Sequence, residues 1–428
     1  MTTFPIEEHR LDNGLRVVLS EDRVAPVVAV NLWYDVGSRH ERRGQTGIAH
    51  LFEHLMFEGS RQVKSGEHFR LVSQAGGSLN ATTSTERTNY FETVPAEQLE
   101  LMLWLESDRM SGLLDALTQE SLDNQRDVVK NERRQRYDNV PYGTAIERLC
   151  TRLFPEGHPY HHQTIGSMED LSAASLDDVR SFFRTYYAPN NCVLSIVGDI
   201  DADQVLKTVD RYFGSIPMHT SAPAPPSDGR LATPLIAADR ITYREKVPAE
   251  AVYMGYRLPK EGDAALDHLE IAMAVLTRGR VSVFERALVR AEFAQQARAF
   301  VDRRVGGVSL GLLSARARSG VSADAVEQEM RAQLQLLADK GPDERDLDRA
   351  KALVERGWLD YVTEVEGRAD ELSRCATLFD DPGRMNTWLD APLRTTAKQV
   401  QAAVADYLLD NHPVVLTYLP AEEGEAAA

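Results

Sequence analysis

Residues 25–37, APVVAVNLWYDVG, hold the longest apolar run of the chain, from Pro26 to Tyr34, which reads as a buried strand. Residues 249–259, AEAVYMGYRLP, repeat its character in the second half. Outward from the first copy, GLRVVLSED (14–22) gives another strand. With a turn at Asn13-Gly14, the alternating region from Leu11 to Tyr34 reads as a hairpin. Helical patterns follow over Thr46–Phe57 and over SGEHFRLVSQAG (65–76), the second stopped by Gly76-Gly77. GSLNATTSTERTNYFETVP (77–95) reads as two strands with a polar turn at Thr85-Glu86-Arg87. Further helices are expected over 96–112, Gln119–Tyr137 and 176–187, and a buried strand over NCVLSIVGDI (191–200).

SIPMHTSAPAPPSDGRLATP (215–234) breaks this rhythm near the midpoint and reads as an exposed linker. After it the order of elements restarts. FFRTYYAPNNCVLSIVG (182–198) and AAVADYLLDNHPVVLTYL (402–419) share a helix, an Asn and then a β-rich run. The expectation is an α+β fold of two homologous domains, each a largely antiparallel sheet covered by helices, joined by the Pro-rich linker. The boundaries are 1–215, 216–234 and 235–428. The period is far too long for a solenoid.

Composition excludes several classes of function. The 428 residues carry 48 Lys+Arg against 65 Asp+Glu, a net charge of −17. A nucleic-acid binder needs a basic footprint, and anionic lipid would repel such a chain. Hydrophobic residues at 43% and charged residues at 26% are those of a globular protein that buries a core without staples. Cys150, Cys192 and Cys375 are sparse and far apart, which excludes a disulfide scaffold or a thiolate zinc finger and suits a reducing compartment. The first residues show no basic region followed by an apolar one, so no signal peptide is expected and the cytoplasm is the expected location.

His50-Leu51-Phe52-Glu53-His54 carries the chemistry. On a helix, positions i, i+3 and i+4 share a face, so His50, Glu53 and His54 converge, while Ile48, Phe52 and Leu55 form a separate core-facing stripe. Two imidazoles at i, i+4 are a natural pair of zinc ligands, and a carboxylate beside them can serve as general base toward water activated by the metal. The order His-x-x-Glu-His is that of the inverted zincins. The same residues would also suit a solvated face, but the surrounding GIAHLFEHLMF (47–57) is apolar and favours a shared ligand in a partly buried place. Zinc needs a third ligand. Glu132, placed to share the buried side of Val128 and Val129, fits best, although pairing with Arg133, Arg134 or Arg136 on a solvated face suits it equally.

The chain resembles the pitrilysin-type M16 family of zinc metallopeptidases, as a single-unit subunit. The resemblance rests on LDNGLRVVL (11–19), GSRHERRGQTGIAHLFEHLMFEGS (37–60), AGGSLNATTSTERTNYFETVP (75–95), NQRDVVKNERRQRYDNVPYG (124–143) and YYAPNNCVLSIVGD (186–199). It implies His50, His54 and Glu132 as zinc ligands and Glu53 as general base. Many members have a further Glu seven residues before the third ligand; here Gln125 stands there, and its role is open. The resemblance also implies that the strand SLNATTS (78–84) pairs with extended peptide through its backbone, with Asn80, Ala81 and Thr82 at the matched positions. An ordinary hairpin strand is the alternative reading. Phe52 faces substrate in relatives, or packs in the core. His158, His161 and His162, in GHPYHHQTIG (157–166), read as a loop bordering the cleft, with a second zinc site as the lesser reading.

Family members close a chamber from two two-domain units, and this chain has the length of one. The resemblance therefore implies a second M16-type subunit. Active members place an Arg and a Tyr a few residues apart in a second-half domain. In ALVRAEFAQQARAFVD (287–302), Arg290 fits the Arg, the position seven on is Ala297, and there is no Tyr. That departure favours a heterodimer over a homodimer. The second-half helix ALDHLEIAMAVLTRG (265–279) keeps only His268, with Glu270 two residues on. The expected activity is zinc-dependent endopeptidase on unfolded peptides; the alternative is a non-catalytic structural or partner subunit.

Overall fold

The computed structural model describes residues 3–219 and 239–421. Most of the expected linker, residues 220–234, lies outside them. The chain forms two compact units. Unit 1 comprises Met1–Arg133, His162–Pro226 and Leu359–Thr387; unit 2 comprises Arg134–His161, Ser227–Trp358 and Trp388–Ala428. Residues 134–161, inside the expected 1–215 domain, thus group with unit 2, and 359–387 group with unit 1.

Among the described residues, unit 1 holds six strands: β1 (Glu7–Arg10), β2 (Arg16–Glu21), β3 (Val27–Tyr34), β4 (Ser78–Thr83), β5 (Thr88–Pro95) and β6 (Cys192–Gly198). Their order is β1-β2-β6-β3-β5-β4. β3 is buried along nearly its whole length because both faces are covered, and a strand covered twice reads as a continuous apolar run. The helix Val365–Phe379 covers one face, where Trp33 Nε1 donates to Asp370 (2.9 Å) and Ser373 Oγ to Ser195 Oγ (2.8 Å). The Asn13-Gly14 turn does close a hairpin, but between β1 and β2. Gly14 sits at φ 85°, where a side chain is strained. β2 and β3 are not partners as the sequence suggested: β6, far along the chain, lies between them, parallel to β2.

Unit 2 holds β7 (Asp239–Glu245), β8 (Ala251–Pro259), β9 (Ala294–Asp302), β10 (Val308–Ala317) and β11 (Val414–Pro420), in the order β7-β11-β8-β10-β9. β7 and β11 are parallel, as β2 and β6 are, and the other pairs are antiparallel. Each strand of this sheet thus has a counterpart in β2-β6-β3-β5-β4. The α+β duplication read from the sequence is the observed architecture.

Inside unit 1, His68 (helix Glu67–Gln74), Glu92 (β5), Glu106 and Arg109 (helix Leu99–Ala116) form a buried polar cluster. Arg109 Nη2 binds Glu106, lies 4.0 Å from Glu92, and stacks over Tyr90 with 4.3 Å to the ring centre. Burial pushes Glu106 up to about 8 and raises Glu92, while burial and Arg109 push His68 down to about 4. Folding therefore favours protonated Glu106. Its contribution to stability is full below its ordinary value of 4.5 and is lost as pH rises through about 8. Glu106→Gln imitates the protonated carboxyl. In urea unfolding, wild type is expected to lose stability relative to Glu106→Gln as pH rises across that window; parallel pH profiles would contradict the assignment.

Candidate metal centre

The helix Ile48–Leu55 carries the His-x-x-Glu-His residues. It begins after Gly47, at φ 88°, where a Cβ would stand 2.8 Å from the Ile165 carbonyl oxygen. Gly47 offers no capping side chain. Glu41 takes that role from outside the helix: its two carboxylate oxygens accept the backbone N–H groups of Gly47 and Ala49, each at 2.9 Å. A carboxylate here satisfies otherwise orphaned donors and complements the helix dipole. His162 Nε2 in turn lies 2.8 Å from Glu41 Oε2. Ile48, Ala49, Leu51, Phe52 and Leu55 are buried, which leaves His50, Glu53 and His54 on the half-buried face. Phe52 is core: its ring packs among Phe182, Phe183 and Tyr187 and is fully buried.

Glu132 reaches this face from the helix Gln119–Arg133. Its Oε2 lies 3.4 Å from His54 Nε2 and 3.8 Å from His50 Nε2. The two imidazoles stand nearly perpendicular, with centroids 4.9 Å apart. Zinc bonds of about 2.0–2.2 Å in tetrahedral geometry put neighbouring ligand atoms about 3.3–3.6 Å apart. The His54–Glu132 distance lies in that range and the His50–Glu132 distance just above it, and the donor types are those of a zinc site. Glu132 shares the side of buried Val129; Val128, expected beside it, is instead exposed.

Glu53 stands next to the cluster and accepts a hydrogen bond from Thr83 Oγ1 at 2.5 Å. Burial raises its pKa, against the lowering effects of Thr83, His54 and Arg87. For His54, burial favours the neutral ring, but Glu132, Glu53 and Gln125 outweigh it and the pKa is raised. Thr83 ends β4, which pairs only with β5 among the described residues and so forms an edge of the sheet. A pocket of about 310 Å³ lies between this edge and the helix, lined by Glu53, His54, Phe57, Phe69, Asn80, Ala81 and Gln125 among others. Thr82 is not in its lining; its hydroxyl donates to Asn89 at 2.6 Å. The Ala81 N–H is held by the side chain of Asn80 (2.9 Å).

The three loop histidines are dispersed in role. His158 stacks on Phe154, His161 Nδ1 lies 2.8 Å from the Phe154 carbonyl oxygen, and His162 serves the Glu41 anchor. Among the described residues, none of them belongs to a metal-type cluster. Glu41, Thr83 and Glu58, which touches Gln125, escaped sequence reasoning. Thr83 and Glu58 act across long separations, and Glu41 caps the helix from the loop before it, so no local helical pattern marks them.

The family description "Insulinase (Peptidase family M16)" matches residues 16–158, and "Peptidase M16 inactive domain" matches residues 173–354. The chain is 30% identical over 380 residues to "Zinc protease PqqE" of Helicobacter pylori, covering 88% of this chain and 82% of that protein. The chain belongs to peptidase family M16. "Uncharacterized zinc protease YmxG" of Bacillus subtilis is 26% identical over 252 residues, 59% of either chain. The crystal structure of a protease from Helicobacter pylori matches this M16 chain with a TM-score of 0.90 at 27% identity, over 97% of this chain and 100% of that one. Among the described residues, no helix is long and apolar enough to cross a membrane.

Glu41→Ala would remove two charge-assisted bonds from the start of the motif helix. The expected cost is about 1–3 kcal/mol in urea unfolding. A loss below roughly 0.5 kcal/mol would mean that the carboxylate does not anchor this M16 helix.

Proposed function

We propose that the chain is a zinc-dependent endopeptidase that cuts unfolded peptides, with His50, His54 and Glu132 holding the metal and Glu53 as general base. The observation that carries this reading is the convergence of two imidazole Nε2 atoms and one carboxylate oxygen, with Glu53 one turn away on the same helix. Bound zinc supplies Lewis acidity toward water and toward a peptide carbonyl. Glu53 accepts the proton of the attacking water, and burial keeps its proton affinity above that of an ordinary carboxylate. Thr83 holds the Glu53 carboxylate in place. Extended peptide adds to the edge of β4 at Asn80, Ala81 and Thr82, so that backbone bonds bind many sequences and the adjoining pocket adds preference.

The metal residues lie inside the segment described as insulinase, not in the one described as inactive domain. That favours an enzyme over a non-catalytic subunit. The proposed sequence domains are 1–215 and 235–428, joined by 216–234. The proposed setting is the cytoplasm, supported by three buried cysteines, none in a disulfide. The working form is a pair with a second M16-type subunit. Arg290, exposed and held by the Arg280 carbonyl oxygen (2.7 Å), has no Tyr within the next seven residues to complete an oxyanion-binding pair. A heterodimer whose partner supplies that pair is therefore favoured over a homodimer.

His50→Ala is expected to lose the zinc, and elemental analysis showing unchanged content would refute the ligand assignment. Glu53→Gln should keep zinc yet lose peptide hydrolysis by roughly 10²-fold or more. If that variant arrives without metal, Glu53 is a ligand rather than a base.

For the pair, the purified chain alone should cleave an unstructured peptide weakly, about 10²–10³-fold below the rate with an M16 partner that carries the Arg and Tyr. Full activity of the chain by itself would overturn the heterodimer and leave the zinc chemistry standing.

A further inference from the structure

Gln125 lies two helical turns before Glu132 on the same helix, and Glu58 lies four residues after His54. The side chains form a line: His54 Nδ1 is 3.2 Å from Gln125 Oε1, Gln125 Nε2 donates to Glu58 Oε1, and Ser65 Oγ donates to Glu58 Oε2 at 3.0 Å. The order of donors along this line follows from chemistry. A carboxylate only accepts, so the end of Gln125 facing Glu58 must be its NH₂. Its other end, facing His54, is then the carbonyl oxygen, which also only accepts. Nδ1 of His54 must therefore carry a proton, so that in the neutral ring Nε2 keeps its lone pair on the side of Glu132 and His50. Turned round, the amide would offer N–H groups to Nδ1 and favour the tautomer protonated at Nε2, which cannot bind a metal.

We propose that Glu58, acting through Gln125, is a positioning residue that locks His54 in the Nε2-ligating tautomer. This rests on the zinc reading above. The amide transmits the direction of the carboxylate without placing its charge against the imidazole. Glu132 and Glu53 thus remain the carboxylates that act directly on His54. Replacing the carboxylate by an amide at position 58 removes the lock, because a Gln there can either donate or accept and lets Gln125 turn.

The test uses the full chain and zinc itself. Zinc affinity is measured by competition with a chromophoric chelator, and the His54 ring tautomer by ¹⁵N NMR, in wild type, Glu58→Gln and the double variant Glu58→Gln/Gln125→Glu. Glu58→Gln is expected to weaken zinc binding about 10-fold and, in the neutral ring before zinc is added, to show a mixed His54 tautomer. The double variant puts the carboxylate directly on Nδ1 and is expected to restore both affinity and a single Nδ1–H tautomer. Unchanged affinity and tautomer in Glu58→Gln would overturn the proposal, and so would a double variant no better than Glu58→Gln. His54→Ala binding zinc as tightly as wild type would be a different failure: it removes the metal reading and this proposal with it.

Discussion

Eight residues are too few for a helix to persist by itself in water, where isolated helices shorter than about 12–15 residues are marginal. The helix Ile48–Leu55 exists because it is held from outside. Glu41 closes its N-terminus, His162 holds Glu41, and the buried side of Leu51, Phe52 and Leu55 fixes its rotation. Rotation matters because the three ionisable residues occupy what remains of its surface. With Phe52 packed among aromatic rings, His50, Glu53 and His54 can only point the other way. The site is therefore set by core packing and one capping carboxylate, neither of which touches the cluster itself.

The units explain why chain order and compact structure diverge. A five- or six-stranded sheet has two faces to cover, and each sheet takes one covering helix from the opposite half of the sequence. Val365–Phe379 serves unit 1, and Ala145–Leu153 serves unit 2, where Leu149 and Leu153 join a core with Leu310, Leu312 and Leu416. β8 meets that helix at Gly255, where a Cβ would stand 2.9 Å from Leu149 and 3.0 Å from Leu153. The helix seats closely because the strand has no side chain there. The Gly within AEAVYMGYRLP, read only as part of a strand, is a packing contact.

Much of this was legible. The run VVAVNLWY and its echo mark the central strands because burial on both faces leaves a continuous apolar signal. The convergence of His50 with His54 follows from helix geometry alone. Glu132 needed more, since its apolar neighbour Val129 is buried while Val128 is exposed, and helical spacing could not choose between the two. The insertion of β6 between β2 and β3 was hidden because strand pairing across most of a domain leaves no local trace. Thr83 and Glu58 were hidden for the same reason, since their partners Glu53 and Gln125 lie far along the chain, and Glu41 because it caps the helix from outside, where no helical spacing marks it.

The two halves share a sheet order and also a way of pairing buried acids, and the cluster that departs from it separates structure from chemistry. In unit 2, the helix Ala264–Thr277 follows β8 as the motif helix follows β3. Its acids Asp267 and Glu270, with Glu261, gather around Arg303: Asp267 at 2.7 Å and Glu270 at 3.5 Å. In unit 1, Glu92 and Glu106 gather around Arg109 in the same manner. A guanidinium is a permanent cation with many donors, and it fills such a place as a matter of stability. The cluster of His50, His54 and Glu132 has a different composition. Two imidazoles can offer lone pairs without adding charge once they are deprotonated, which an ion pair does not require and a zinc ion does. Arginine thus serves buried acids in both units, while the imidazole pair on the motif helix, with Glu132, is the donor set proposed for zinc.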